Sequence, residues 1–218
     1  MIRVYAFKWV PPFAQGLVRD LRVRWALEEA GQTYEEVLID HEEKNGADYL
    51  ALQPFGQVPA YEEDGLELFE SGAIALRIAA RTEALMPNDG AARAKAVQWV
   101  FAALNSIEPH VQALALIDGF YKDEQWAKLR RPGALDLAER RLDALAQRLG
   151  DKDYLEEGGF TVGDLMMTTV LRLASVTGLV EARPSLAAYV KRCESRPAFQ
   201  TALRAQMRAF EEHAPPAD

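Results

Sequence analysis

Cysteine is nearly missing: 218 residues contain one, Cys193. A lone thiol forms no internal disulfide and no CxxC redox pair, which suits a reducing compartment, so a cytoplasmic location is expected. Positive charge is also scarce, with 25 Lys and Arg against 33 Asp and Glu and a net charge of −8. That balance argues against a broad phosphate-binding surface, and no nucleic-acid partner is expected. Apolar runs are short. None approaches the ~18 residues of a membrane-spanning helix, so no membrane partner is expected either. The opening residues, Met1 to Phe7, follow a strand pattern and not a basic-then-apolar leader, which predicts no secretory signal. Internal repeats are lacking, and the only loose stretch is Ala214–Asp218. What remains, 49% hydrophobic and 27% charged, is the composition of a globular protein.

The chain changes texture near residue 82. Before it, short β-type runs alternate with helical ones. Ile2 to Phe7 reads as a strand, and Leu17 to Ala30 as a helix with Val18, Leu21 and Trp25 on one face and Gly31 as its stop. Thr33 to Ile39 is rich in β-formers. After a polar segment, Val58–Glu62 and Leu66–Phe69 flank Glu63-Asp64-Gly65, a hairpin signal, and a helix runs from about Ser71 to Arg81. The order is β-α-β, a short connection, then β-β-α. The first unit implies parallel pairing through a crossover helix, and the hairpin adds an antiparallel edge.

Pro87, Asn88 and Gly90 mark residues 83–90 as a linker. Everything after it reads as helix. Two stripes, Val97/Phe101/Leu104/Ile107 and Trp99/Ala103/Ser106/His110, share one helix and imply burial against more than one neighbour. Leu135, Ala138, Leu142, Leu145 and Leu149 form a heptad-like stripe ending at Gly150, and further helices are expected near Thr161–Thr177, Ser185–Glu194 and Pro197–Glu212. The expectation is a small α/β domain over 1–82 and an all-helical domain over 91–218.

Two segments carry candidate chemistry. In Gln53-Pro54-Phe55-Gly56-Gln57-Val58-Pro59, a proline opens an otherwise good strand, where it cannot donate a ladder bond. A cis Val58–Pro59 bond would turn the Val58 N–H and C=O outward for pairing with an extended peptide, whereas an ordinary loop with trans prolines would not. In Phe69-Glu70-Ser71-Gly72, a strand gives way to a helix whose first N–H groups lack partners. Ser71 would cap them, or a ligand carboxylate would sit there with Glu70 meeting its ammonium group. In the second half, Phe160-Thr161-Val162-Gly163-Asp164-Leu165 is a capping box with flanking hydrophobic staple.

The run from Tyr49 to Ala60, followed by Leu68-Phe69-Glu70-Ser71, resembles the glutathione-site segment of the soluble glutathione transferases, in particular their phi and theta classes. The capping box and Arg196-Pro197-Ala198-Phe199 resemble structural elements of the same family, and the likeness spans essentially the whole chain. It implies an N-terminal thioredoxin-like domain (βαβ-α-ββα) followed by an all-helical C-terminal domain. It also implies glutathione as co-substrate without a metal, a small hydrophobic electrophile as the second substrate, and a homodimer. By the same resemblance Pro59 is the cis proline and Val58 pairs with the cysteinyl unit. Gln57 contacts the tripeptide, and Glu70 and Ser71 hold its γ-glutamyl end. Lys44 is suited to the glycyl carboxylate, or is equally a surface charge in its Glu42-Glu43-Lys44 run. Phe13, Trp99, Ala103 and Ser106 are expected as walls of the electrophile pocket, or as core.

The chain departs from the family where the thiol is activated. Members place a Tyr, Ser or Cys between the first strand and first helix, yet from Phe7 to Asp20 no hydroxyl or thiol occurs. Gln15 and Arg19 are the candidates left, together with the helix N-terminus; Arg19, Arg22 and Arg24 read equally well as helix-surface arginines. Lowering a thiol pKa of about 8.5 by one to two units asks for only about 1.4–2.7 kcal/mol. A helix N-terminus gives about 0.3–1 kcal/mol, rising to about 2 when partly buried. The reading is therefore a glutathione transferase whose thiol is activated without a side-chain hydroxyl. The alternative is a non-catalytic glutathione-binding or scaffold protein of the same fold.

Overall fold

The computed structural model describes residues 1–215, so the last three residues of the tail lie outside the described residues. The chain divides into two compact units: Met1–Leu85 joined by the segment that begins at Arg196, and Met86–Ser195. Among the described residues the second half is helical, as its sequence pattern predicts. Its last helix belongs with the N-terminal unit.

In the first unit, β1 (Ile2–Phe7) alternates buried and half-buried residues, placing Ile2, Val4 and Ala6 on the covered face. The sheet order is β2-β1-β3-β4, with β2 Tyr34–Ile39, β3 Ala60–Glu63 and β4 Leu66–Phe69. β1 and β2 are parallel, pairing Ile2 with Tyr34 and Phe7 with Ile39, while β3 runs antiparallel to both β1 and β4. Asp64 and Gly65 make the hairpin turn, both at positive φ. α1 (Asp20–Glu29) is the crossover, α2 (Ala47–Leu52) occupies the polar segment before β3, and α3 (Ser71–Ala79) closes the domain.

α1 starts three residues later than the apolar spacing suggests. Pro11 and Pro12 open a short 3-10 turn, Pro12–Ala14, and Gly16 at φ 76° carries the chain through further turns to Arg19. From Asp20 to Leu27 every residue is buried, including Arg22 at 4% exposure and Arg24 at 0%. These two arginines are thus not on the surface. Arg24 Nε donates to Asp20 Oδ2 at 2.7 Å and its Nη1 to Glu36 Oε1, compensating a charge that would be costly to bury alone.

α9 (Pro197–Glu212) packs on α1. Phe199 meets the Trp25 ring edge-on at 4.8 Å, and Arg196 grips Glu29 through two bonds of 2.6 and 2.8 Å.

The second unit holds α4 (Gly90–Phe101), α5 (Glu108–Gly119), α6 (Gln125–Leu149), α7 (Val162–Ser175) and α8 (Pro184–Glu194). α4 and α5 form one rod joined by a wide π-type turn, Ala102–Ile107. Pro109 explains the widening, because it has no N–H for the carbonyl one turn back. Within this rod, Gly90–Gly119, one 18-residue window reaches a mean hydropathy of 1.3, a value that the core helix of a globular protein and a bilayer-spanning helix both attain. Among its apolar side chains, Trp99, Val100, Ala103, Ile107, Val111 and Leu114 are buried, and the rod packs on α6 and α7. Gly163 makes that crossing close: a Cβ there would lie 2.6 Å from Trp99 Cβ and 3.1 Å from the Ala96 carbonyl oxygen. The capping box forms, with Thr161 and Asp164 bonding each other's backbone N–H groups at the start of α7. Asp164 also accepts from Leu155 N at 2.8 Å and from the Tyr189 hydroxyl at 3.1 Å, and burial pushes its carboxyl pKa up.

Candidate active site

The C-terminal end of β1 and the N-terminal end of β3, the two central strands, lie at one end of the sheet. Tyr5 pairs with Ala60, so continuing the antiparallel register sets Phe7 level with Val58. The Val58–Pro59 bond is cis. Neither the N–H nor the C=O of Val58 bonds to another described residue, which leaves one strand-like pair open for a ligand backbone.

The loop before it is braced from both sides. Gln53, buried, accepts the Phe55 N–H at 2.7 Å, and the Tyr49 hydroxyl donates to the Gln57 carbonyl at 2.6 Å. Gly56 adopts φ 58°, and a Cβ there would lie 3.2 Å from the Lys44 carbonyl oxygen. This glycine therefore allows the 43–45 turn to close on the loop. It brings Lys44, half-exposed, near exposed Gln57; Lys44 Nζ contacts Asn45 Oδ1 at 3.2 Å.

Across the hairpin, level with Pro59 when the Ala60–Phe69 pairing is continued, stands Glu70, with φ 69° and ψ 109°, a backbone state that costs a non-glycine residue about 1–3 kcal/mol. Its side chain is exposed and does not cap α3, although it occupies the N-cap position. The first N–H groups of α3, from Ser71 to Ala73, bond no carbonyl among the described residues, so the helix presents open donors and the positive end of its dipole. Beside them, the buried Arg22 guanidinium donates to Ser71 Oγ at 3.2 Å. A cation, a hydroxyl, open N–H groups and an exposed carboxylate thus meet at one point. That set suits a carboxylate and an ammonium carried on one carbon. The sequence reading missed Arg22, because an Arg-x-x-Arg-x-Arg run in a helix looks like a solvated face.

Between β1 and α1 the available groups are sharply divided. Lys8 is tied to Glu43 at 2.8 Å and Asp40 at 3.4 Å. The Gln15 side-chain amide donates to the Val10 carbonyl at 3.0 Å, bracing the loop. Arg19 sits at the N-cap position of α1, half-buried. Trp9 is half-buried too, and its indole N–H finds no acceptor among the described residues, whereas Trp25 and Trp99 donate to Glu29 and Glu156. Tyr5, the nearest hydroxyl in sequence, donates to Glu62 at 2.6 Å; burial and that carboxylate push its pKa up to about 12. It is no source of a phenolate at neutral pH.

Of the expected electrophile-pocket walls, Phe13 is 61% exposed and Ser106 is exposed. Trp99 and Ala103 fit the core alternative. Both are buried in the helical unit, Trp99 with its indole N–H on Glu156 at 3.0 Å and its Cβ against Gly163. They act as core there. Among the described residues no group of three or more His, Cys, Asp or Glu is placed to hold a metal ion.

Residues 14–80 match the N-terminal domain of glutathione S-transferases, and residues 100–197 their C-terminal domain. Over 188 residues, the chain is 30% identical to glutathione S-transferase GstA of Escherichia coli O157:H7, covering 83% of this chain and 90% of that one. The chain belongs to the glutathione S-transferase family. Another relative, glutathione S-transferase 3 of Zea mays, is 31% identical over 201 residues, 85% of this chain and 88% of its own. A glutathione transferase of Burkholderia graminis superposes with TM-score 0.79 at 25% identity, covering 94% of this chain and 88% of that one; its crystal structure holds two glutathione molecules per subunit. Glutathione transferase F2 of Populus trichocarpa shares the fold, with TM-score 0.80 at 22% identity over 95% of this chain and all of that one. Within the family fold, the open Val58 backbone and the Glu70–Ser71 helix start lie on the thioredoxin-like domain, the first just before β3 and the second just after β4.

Proposed function

We propose that this transferase binds glutathione at one end of its N-terminal sheet and directs the thiolate at a small apolar electrophile, peroxide or disulfide. The observation that carries the reading is the unbonded Val58 backbone on the same domain as the bare α3 N-terminus with Arg22 and Ser71. In this reading Val58 pairs with the cysteinyl unit, Gln57 contacts the tripeptide and Lys44 meets the glycyl carboxylate. Pro59 ends the pairing edge, and Ser71, Arg22 and the α3 N–H groups hold the γ-glutamyl carboxylate while Glu70 takes its ammonium.

Thiol activation is assigned to Arg19 and Gln15 beside the N-terminus of α1, with the Trp9 indole N–H as a further donor; the Gln15 amide also braces the loop through the Val10 carbonyl. A charge-assisted bond contributes about 1.5–3 kcal/mol, enough to lower a bound thiol pKa by one to two units. On the N-terminal unit, exposed Phe13 is the apolar candidate to meet the electrophile. A homodimer in a reducing cytoplasm completes the proposal; the single cysteine, buried, accords with that compartment.

The absence of a hydroxyl or thiol from Phe7 to Asp20 favours a second reading, a glutathione-binding protein without catalysis. A calorimetric titration with glutathione, with thiolate absorbance near 240 nm followed against pH, separates the two. Catalysis predicts saturable binding and a bound thiol pKa brought towards neutrality, weakened in R19A and more mildly in W9F. Binding with an unshifted pKa supports the carrier reading, and no binding at millimolar glutathione refutes both.

A further inference from the structure

α9 joins the N-terminal unit through more than apolar contact. Gln206, fully buried, directs its amide nitrogen at the turn before α1: Nε2 donates to Asp20 Oδ1 at 2.7 Å and to the Val18 carbonyl at 3.2 Å. The other Asp20 oxygen takes Arg24 Nε at 2.7 Å, so this buried carboxylate is held from two sides. Gln206 is not needed merely to attach the helix. The Trp25–Phe199 edge contact and the double bond of Arg196 to Glu29 already fasten α9 to α1. Its own oxygen, moreover, bonds to nothing among the described residues, a cost that an apolar side chain of the same size would avoid.

The two groups it grips bracket Arg19, and Asp20 begins the helix that carries Arg22 to Ser71. We propose that Gln206 is a positioning residue of the glutathione site: it fixes the turn Val18–Asp20, and through it the placement of Arg19 and of Arg22. The inference rests on the glutathione reading given above. It makes the C-terminal helix, distant in sequence from every ligand-contacting group, a determinant of affinity and of thiol ionisation. Site residues must be held within a fraction of an ångström to act, and packing alone leaves a turn of this kind several ways to settle.

The test uses the full-length protein and glutathione as probe. Q206L removes the donor at nearly constant volume, and Q206N, whose amide stops one carbon short, serves where Q206L fails to fold. A205G, on the same helix and outside the network, supplies a comparable loss of denaturation midpoint. D20N/Q206E exchanges donor and acceptor and restores the bond. The expected result is at least a tenfold rise in glutathione Kd for Q206L or Q206N, with the bound thiol pKa returning towards its free value. A205G leaves both unchanged, and the exchanged pair recovers at least part of the loss. Wild-type Kd and thiol pKa in Q206L and Q206N would overturn the proposal, and so would equal shifts in A205G. A wild type that does not bind glutathione would instead refute the site reading on which it stands.

Discussion

Replacing Arg22 with methionine isolates the electrostatic share of the γ-glutamyl site. The guanidinium is 4% exposed and donates to Ser71 Oγ at 3.2 Å, so a ligand carboxylate at the α3 N-terminus meets its charge away from bulk water. A hydrogen bond to a charged partner contributes about 1.5–3 kcal/mol, which corresponds to a roughly 10- to 150-fold loss of affinity in R22M. Methionine fills most of the vacated volume and leaves no buried charge, so the denaturation midpoint should move little by comparison. Calorimetric titration with glutathione gives the first leg of a cycle. The second uses γ-aminobutyryl-cysteinylglycine, which lacks the α-carboxylate and keeps the amine. Wild type should lose at least the same factor on this analogue, and R22M, which keeps Ser71 and the α3 N–H groups, should lose a clearly smaller factor than wild type. If R22M binds glutathione as tightly as wild type, or binds the analogue as poorly relative to wild type as it binds glutathione, Arg22 does not face the ligand carboxylate and the assigned orientation is wrong.

Two further outcomes follow from the helical unit. G163A places a Cβ 2.6 Å from Trp99 Cβ, and relieving that overlap by separating α4 from α7 should cost about 1–3 kcal/mol, read as a lower urea midpoint. Asp164 has a carboxyl pKa raised by burial above its unfolded value of about 3.9. Its titration therefore favours the fold fully below that unfolded value, and the benefit is lost as pH rises through the folded one. The stability difference between wild type and D164N should accordingly be larger near pH 4 than at pH 7; a difference that grows towards neutrality would contradict the burial argument.

Local interactions were the legible ones. The capping box over Phe160–Leu165 and the Asp64-Gly65 hairpin can be read because each is decided within six residues. Gly150 ends α6 as its position after the leucine stripe requires, taking the Ala146 carbonyl as a helix-terminating residue does. The start of α1 was misplaced because the apolar spacing begins at Leu17, while Gly16 and two prolines keep the chain in turns. Arg22 and Arg24 were harder still. Their burial depends on Ser71, 49 residues beyond Arg22, and on Glu36, 12 beyond Arg24, neither of which marks itself as a partner in the sequence. In the same way Trp99 reads as one member of an apolar stripe, and only the close approach at Gly163 decides that it is core. The paired glutathione-site motifs were visible because a proline at a strand start and an acid-serine pair at a helix start each break a local rule.

The return of α9 to the first unit has a bearing on how the chain is made. The bonds that bring it back join residues 167 and 186 positions apart, Arg196 to Glu29 and Gln206 to Asp20. As the ribosome delivers the protein from its N-terminus, the sheet and α1 emerge early, yet the partner that covers Trp25 arrives among the last residues synthesised. For most of translation the thioredoxin-like half thus carries an uncovered apolar stripe and an Asp20 lacking its second donor. The helical unit, contiguous from Met86 to Ser195, has every segment it needs before then. Maturation of the two halves is consequently reversed relative to their order in the gene product: the later unit can finish first, and the earlier one waits for the end of the chain.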